Sequence, residues 1–221
     1  MTNSLQSRKR QLVQDAIYDA AIDLFSMNGF DETTVEEVAE AAGISRRSFF
    51  RYFASKDDLL ALNTVHCGQI LIQAITSSPS DLASIEVVRR VVMAGIKFTE
   101  KQPHTRQIIE IAARSVSARQ AHLSRLMEVQ DKLALAFAGR LKGGSQYLQS
   151  HLLAGLCLLA LNNATASWFQ REHKDLLTAA RQAFANLERW FSHGPATPRR
   201  GRSASIRNLT AVKGKRVHPR K

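Results

Sequence analysis

Arg46, Arg47 and Arg51 fall within six residues of one another, with Phe50 among them and Ser45 just ahead. A guanidinium is a planar fork of donors that pairs bidentately with O6 and N7 of guanine in a DNA major groove. A phenyl ring offers no hydrogen bond, and its natural contact there is a thymine methyl. Wound as a helix at about 100° per residue, Phe49 and Phe53 share one face. They belong in a small core with Ala39, Val35 or Val38, and Leu24. The opposite face then carries Arg47 and Arg51, with Phe50 at its edge and Arg46 at the N-terminal tip. Arg46, Arg47, Ser48, Phe50 and Arg51 are therefore candidates for contact with base edges. Thr34, Tyr52 and Lys56 stand at helix ends or edges and are candidates for phosphate contact, which fixes register rather than sequence. An ordinary solvated face would explain three arginines on a random helix, so the elements around them decide the matter.

Those elements read as helices throughout. Leu12, Val13, Ala16, Ile17, Ala20, Ala21, Leu24 and Phe25 recur at three- and four-residue spacing and predict a first helix from about Ser7 to Asn28, ended by Gly29. Thr33-Thr34-Val35-Glu36 predicts a capping box in which Glu36 reaches back to Thr33. A second helix runs to about Ala41, and Ala42-Gly43-Ile44 turns the chain. Ser45 caps a third helix over 45–53, and Ser55-Lys56-Asp57-Asp58 opens a fourth. Further helices are expected at Leu82–Lys101, in two pieces over Thr105–Leu141 with weak spacing at Ser115–Ala121, at Gln146–Gln170 and at Asp175–Phe191, with Gly143-Gly144 as a breaker. No strand pattern and no internal repeat is present.

With those residues in register, the stretch resembles the DNA-binding signature of the tetracycline-repressor (TetR) family. The match is carried by Gly29-Phe30, Thr33-Thr34-Val35, Val38-Ala39, Ala42-Gly43-Ile44-Ser45, Ser48 to Phe53, and Lys56 with Leu59, over roughly residues 10–62. Arg47 stands where the family often has Gly, and Phe50 where it often has Tyr. The resemblance implies an all-α chain: a three-helix helix-turn-helix domain (residues 1–54), a helical ligand-sensing and dimerisation domain (55–192), and here a basic, disordered tail (193–221). It also implies a homodimer on a palindromic double-stranded operator, most often as a repressor, with a small hydrophobic effector. Arg119–Arg140 together with the arginine-rich third helix is weakly similar to relatives that sense acyl-CoA thioesters.

The rest of the chain is compatible with this. Leu152, Leu156 and Leu159 in one helix and Leu177, Phe184 and Phe191 in the next make wide apolar stripes suited to a four-helix interface between two copies. His66, Met93, Phe98, Arg114, Met127 and Trp168 mix apolar lining with polar handles and are candidates for a ligand pocket.

Composition narrows the alternatives. The net charge is +12, yet nine Lys/Arg and no acid lie between Pro195 and Lys221, leaving 22 basic against 19 acidic residues elsewhere, a net of +3. High basicity alone is thus weak support for nucleic-acid binding, and a protein that coats DNA through its tail is the first rival reading. Cys67 and Cys157 match no metal or redox spacing and read as buried thiols. No signal peptide is apparent. The longest apolar run, Leu152–Leu161, is half of the about 20 residues a membrane span needs. A cytoplasmic location without membrane contact is expected. No metal cluster, phosphate loop or nucleophile elbow appears, so no cofactor and no catalytic residue is expected. A helical enzyme or small-molecule carrier is the second rival.

Overall fold

A computed structural model describes residues 2–141, 143 and 145–193, with only the backbone given for 2–4, 187, 188 and 190–193. The basic tail, the Phe191 side chain and Gly144 lie outside the described residues. Every regular element among the described residues is an α-helix: α1 Thr2–Asn28, α2 Val35–Ala41, α3 Arg46–Phe49, α4 Lys56–Thr76, α5 Ser84–Thr99, α6 Thr105–Arg114, α7 Val116–Ala138, α8 Gln146–Phe169 and α9 Leu176–His193.

Local chemistry sets most boundaries. The box before α2 is formed by Thr34 and Glu37, one residue later than the spacing predicted: the Glu37 N–H donates to Thr34 Oγ1 and the Thr34 N–H to the Glu37 carboxylate. Thr33 has a glutamate three residues on as well, but it is buried, and its hydroxyl donates to the Gly29 carbonyl at 2.7 Å. After α2, Gly43 takes φ +66° and its N–H reaches Glu40 O while that of Ile44 reaches Ala39 O. This is the doubly bonded helix stop that demands a left-handed residue. Ser45 then caps α3 and Ser55 caps α4. The third helix is shorter than predicted: regular α-helix ends at Phe49, and the N–H groups of Arg51 and Tyr52 turn to carbonyls three residues back, those of Ser48 and Phe49. A single residue, Ser115, separates α6 from α7, and its hydroxyl caps α7 at the Ala118 N–H.

The described residues up to Asn186 form one compact unit. Within it, α1, α2 and α3 enclose Ile17, Ile22, Phe25, Val38, Phe49 and Phe53, and the same buried cluster takes in Leu59 and Leu60 of α4, Ile111 of α6 and Ala118 of α7. The three-helix head therefore shares its core with the helices that follow. Val88, Val91, Val92 and Ile96 of α5 are buried further along. There Gly95 lets α5 close on its neighbours, since a Cβ would sit 2.8 Å from methyl groups of Leu71 and Leu161.

Two helices exceed the apolar length read from the sequence. α4 (21 residues) and α8 (24 residues) are long and apolar enough to cross a bilayer, although both pack against α7.

Candidate nucleic-acid interface and internal cavity

Phe49 and Phe53 are 0% and 5% exposed, whereas Phe50 is 47% exposed. Burying the first two rings turns Arg46, Arg47 and Arg51 outward. Ser48, half-buried, accepts from the Ser45 hydroxyl at 3.1 Å. Arg46 is held to Glu36 of α2 at 2.8 Å and lies 5.5 Å over the Phe50 ring. Both partners are largely exposed, so the pair is worth at most about 1 kcal/mol and is readily given up to a stronger anion.

The expected phosphate contacts divide. Tyr52 is half-buried, with the guanidinium of Arg51 5.2 Å and that of Arg10, from α1, 5.9 Å from its ring centre. Arg10 was missed by sequence reasoning because its link to Tyr52 is tertiary. Thr34 donates its hydroxyl proton to the Glu37 carboxylate. That carboxyl is held below its ordinary pKa by the Thr34 backbone and side-chain hydrogen bonds. Lys56 corrects the sequence reading. Its ammonium donates to the carbonyls of Phe30 (2.6 Å), Asp31 (3.2 Å) and Thr33 (3.2 Å), which occupies all three N–H groups inside the fold.

Polar ties join this head to the later helices. Asp31, before α2, accepts from Ser115 (2.8 Å) and Ser117 at the start of α7. Those two hydrogen bonds, Ser117 first, hold the Asp31 carboxyl below its usual range. Arg125 of α7 pairs with Asp58 in the first turn of α4. His104, before α6, lies 2.9 Å from Asp19 of α1 and edge-on to Tyr18.

Between α4, α5, α6, α7 and α8 lies a cavity of about 280 Å³. Asn63, Thr64 and Cys67 line it from α4, Phe98 from α5, His122 from α7, and Leu158 and Leu161 from α8. Its walls contain no Lys, Arg, Asp or Glu. Thr64 Oγ1 lies 3.3 Å from His122 Nδ1, and burial lowers the His122 pKa and keeps the ring neutral. Burial likewise pushes the Cys67 thiol up to about 11 and the Cys157 thiol up to about 12, so neither is a thiolate at neutral pH. Of the pocket residues expected from sequence, only Phe98 lines this cavity. Met127 is 68% exposed, one position away from the inward-facing Leu126. His66 and Met93 are half-buried outside its walls. Arg114 borders a separate hollow beside the α1–α2 turn, and Trp168 a third, under the guanidinium of Arg106 at 4.6 Å.

On α8, Tyr147, Leu148, Leu152 and Leu159 are 76%, 56%, 63% and 57% exposed, and a Cβ on Gly155 would meet nothing. The last three leucines, with half-buried Leu156, follow one stripe at helical spacing. Leu177 is half-buried. Phe184 departs from the expectation: it is 5% exposed, within the core of its own chain and 5.9 Å from the Arg89 guanidinium. No group of three His, Cys, Asp or Glu among the described residues is arranged to hold a metal.

Residues 17–62 match the family described as bacterial regulatory proteins, tetR family. Over 50 residues the chain is 48% identical to MftR of Mycobacterium tuberculosis, a proposed transcriptional regulator of mycofactocin biosynthesis, covering 23% of this chain and 25% of that protein. It is 26% identical over 143 residues to the HTH-type transcriptional regulator TcmR of Streptomyces glaucescens, covering 62% and 63% of the two chains. The chain thus spans less than two thirds of these two relatives. Among solved structures, the fold is similar to that of NalD, the secondary repressor of the MexAB-OprM efflux pump in Pseudomonas aeruginosa (TM-score 0.55, 18% identity, 82% of this chain and 96% of that one). It is also similar to FadR from Bacillus subtilis in complex with stearoyl-CoA (TM-score 0.53, 19% identity, 81% and 98%).

Proposed function

We infer that this chain, which belongs to the tetR family of bacterial regulatory proteins, is a ligand-responsive transcriptional repressor that binds a palindromic operator as a homodimer in the cytoplasm. The observation that carries the reading is α3 and the turn after it, where two buried phenylalanines hold Arg47, Phe50 and Arg51 outward on a capped, short helix. The second helix of a helix-turn-helix lies in the major groove with such residues at base edges. Arg47 and Arg51 would read bases, with Arg46 joining after leaving Glu36, and Phe50 would contact a thymine methyl. Tyr52 and Arg10 would hold phosphates. Residues 1–54 are the reading head and 55–192 the sensing and pairing part, with the exposed α8 stripe facing its symmetry mate.

An effector in the α4–α8 cavity would act through Asp31–Ser115, Asp58–Arg125 and the shared core. It shifts the equilibrium only by binding the two conformations unequally. Proteins of this family are regulators rather than enzymes. Selection of bound sequences from a random DNA pool tests the reading. A recovered palindrome with half-sites about one turn apart supports it, and recovery of no motif at matched salt refutes it in favour of non-specific coating.

A further inference from the structure

We propose that the cavity between α4 and α8 takes an uncharged, largely apolar ligand carrying a hydrogen-bond acceptor, and that Asn63 is the residue that recognises the acceptor. This deepens the sensing role proposed above and rests on it. The first support is the wall itself. Leu71, Phe98, Leu126 and Leu161 supply apolar surface, and no side chain of fixed charge faces the space. An anion entering it would lose its water and gain no counter-ion, a cost far above that of any neutral polar group. A carboxylate is disfavoured on that ground, and the phosphates of an acyl-CoA would have to remain outside. His122 does not supply the missing charge, because burial keeps its ring neutral.

The second support is an unpaired donor. Asn63 lines the cavity, and its side-chain amide nitrogen is buried without a hydrogen-bond partner. Buried polar groups are nearly always satisfied, so the unpartnered amide of a cavity-lining residue is explained by a ligand acceptor that it meets on turning toward the space. A carbonyl or ether oxygen fits it. Beside it, Thr64 and His122 already face each other at 3.3 Å and can accept a ligand hydroxyl without rearrangement of charge. The volume, about 280 Å³, stands at the lower end of ligand sites, which suits a compact ring system better than a long chain.

Calorimetry on the full chain without DNA tests this with four probes: 1-acetonaphthone, naphthalene, 1-naphthoate and octanoyl-CoA. The ketone is expected to bind at least about tenfold more tightly than the carboxylate, and about fivefold or more above naphthalene. The advantage over naphthalene is expected to vanish in Asn63→Leu. Equal or tighter binding of naphthoate or octanoyl-CoA overturns the proposal, as does failure of the ketone to bind. A ketone preference that survives Asn63→Leu overturns the role of Asn63. The wild-type ranking stands alone if that variant folds poorly. Operator binding is measured separately, so loss of the DNA reading and loss of this one give different results.

Discussion

The ammonium of Lys56, at the start of α4, lies 2.6 Å from the Phe30 carbonyl oxygen and 4.6 Å from the centre of the Phe30 ring. With Asp31 O and Thr33 O it closes the α1–α2 turn from below. Replacing Lys56 by Met is expected to cost about 1.5–3 kcal/mol of stability, the range for hydrogen bonds to a charged group. Urea denaturation measures that loss. A phosphate contact would instead show as a fall of about 0.9 in the slope of log affinity against log salt, and no such fall is expected.

Arg47→Ala and Arg51→Ala are each expected to weaken binding to a selected operator by about 1–3 kcal/mol. Binding to scrambled DNA should change far less. Fluorescence anisotropy at one fixed salt concentration gives both numbers, and equal losses on both DNAs would reassign these arginines to the backbone.

Asp31 gives the chain an acid-sensitive tie. Its folded-state pKa is lowered from 3.8 by the hydroxyls of Ser117 and Ser115. A lowered carboxylate stabilises the fold above its unfolded value and loses that contribution as pH falls through the folded one. Asp31→Ala should therefore be less stable than wild type at pH 7, and the gap should narrow once pH drops below 3.8. Parallel urea titrations at the two pH values check it, and a constant gap would exclude the carboxylate as the cause.

Leu152→Glu with Leu159→Glu is expected to leave helix content intact and shift the protein to a monomer in sedimentation velocity, since both side chains are exposed on the α8 stripe. Phe184→Ala should do the reverse, costing about 3–5 kcal/mol of stability as a large buried deletion.

The division between what could be read early and what could not follows the range of the interactions. Caps, the Gly43 turn and the spacing of Phe49 and Phe53 act within a few residues, and these placed the head and nearly every helix. Even there, Thr33 and Thr34 both have a glutamate three positions on, and only burial of Thr33 under the Leu24 and Gly29 carbonyls decided between them. The cavity was illegible for a different reason. Periodicity marks a face as apolar without saying whether neighbours fill it, so Met127 and Leu126 looked alike while only one points inward. Asn63 and His122 carried no local signal, because their shared wall joins α4 to α7 across more than fifty residues of chain. Lys56 misled for the same reason: its three acceptors are more than twenty residues upstream.

Ser115 gives the last consequence. One oxygen atom both accepts the Ala118 N–H, which starts α7, and donates to Asp31, in the α1–α2 turn of the reading head. The joint is a hinge pin and a latch in the same part. A swing of α7 must carry Asp31 with it or break the hydrogen bonds from Ser115 and Ser117. Ser115→Ala removes the cap of α7 and one of the two hydroxyls that bind Asp31, and leaves the Ser117 bond as the remaining tie.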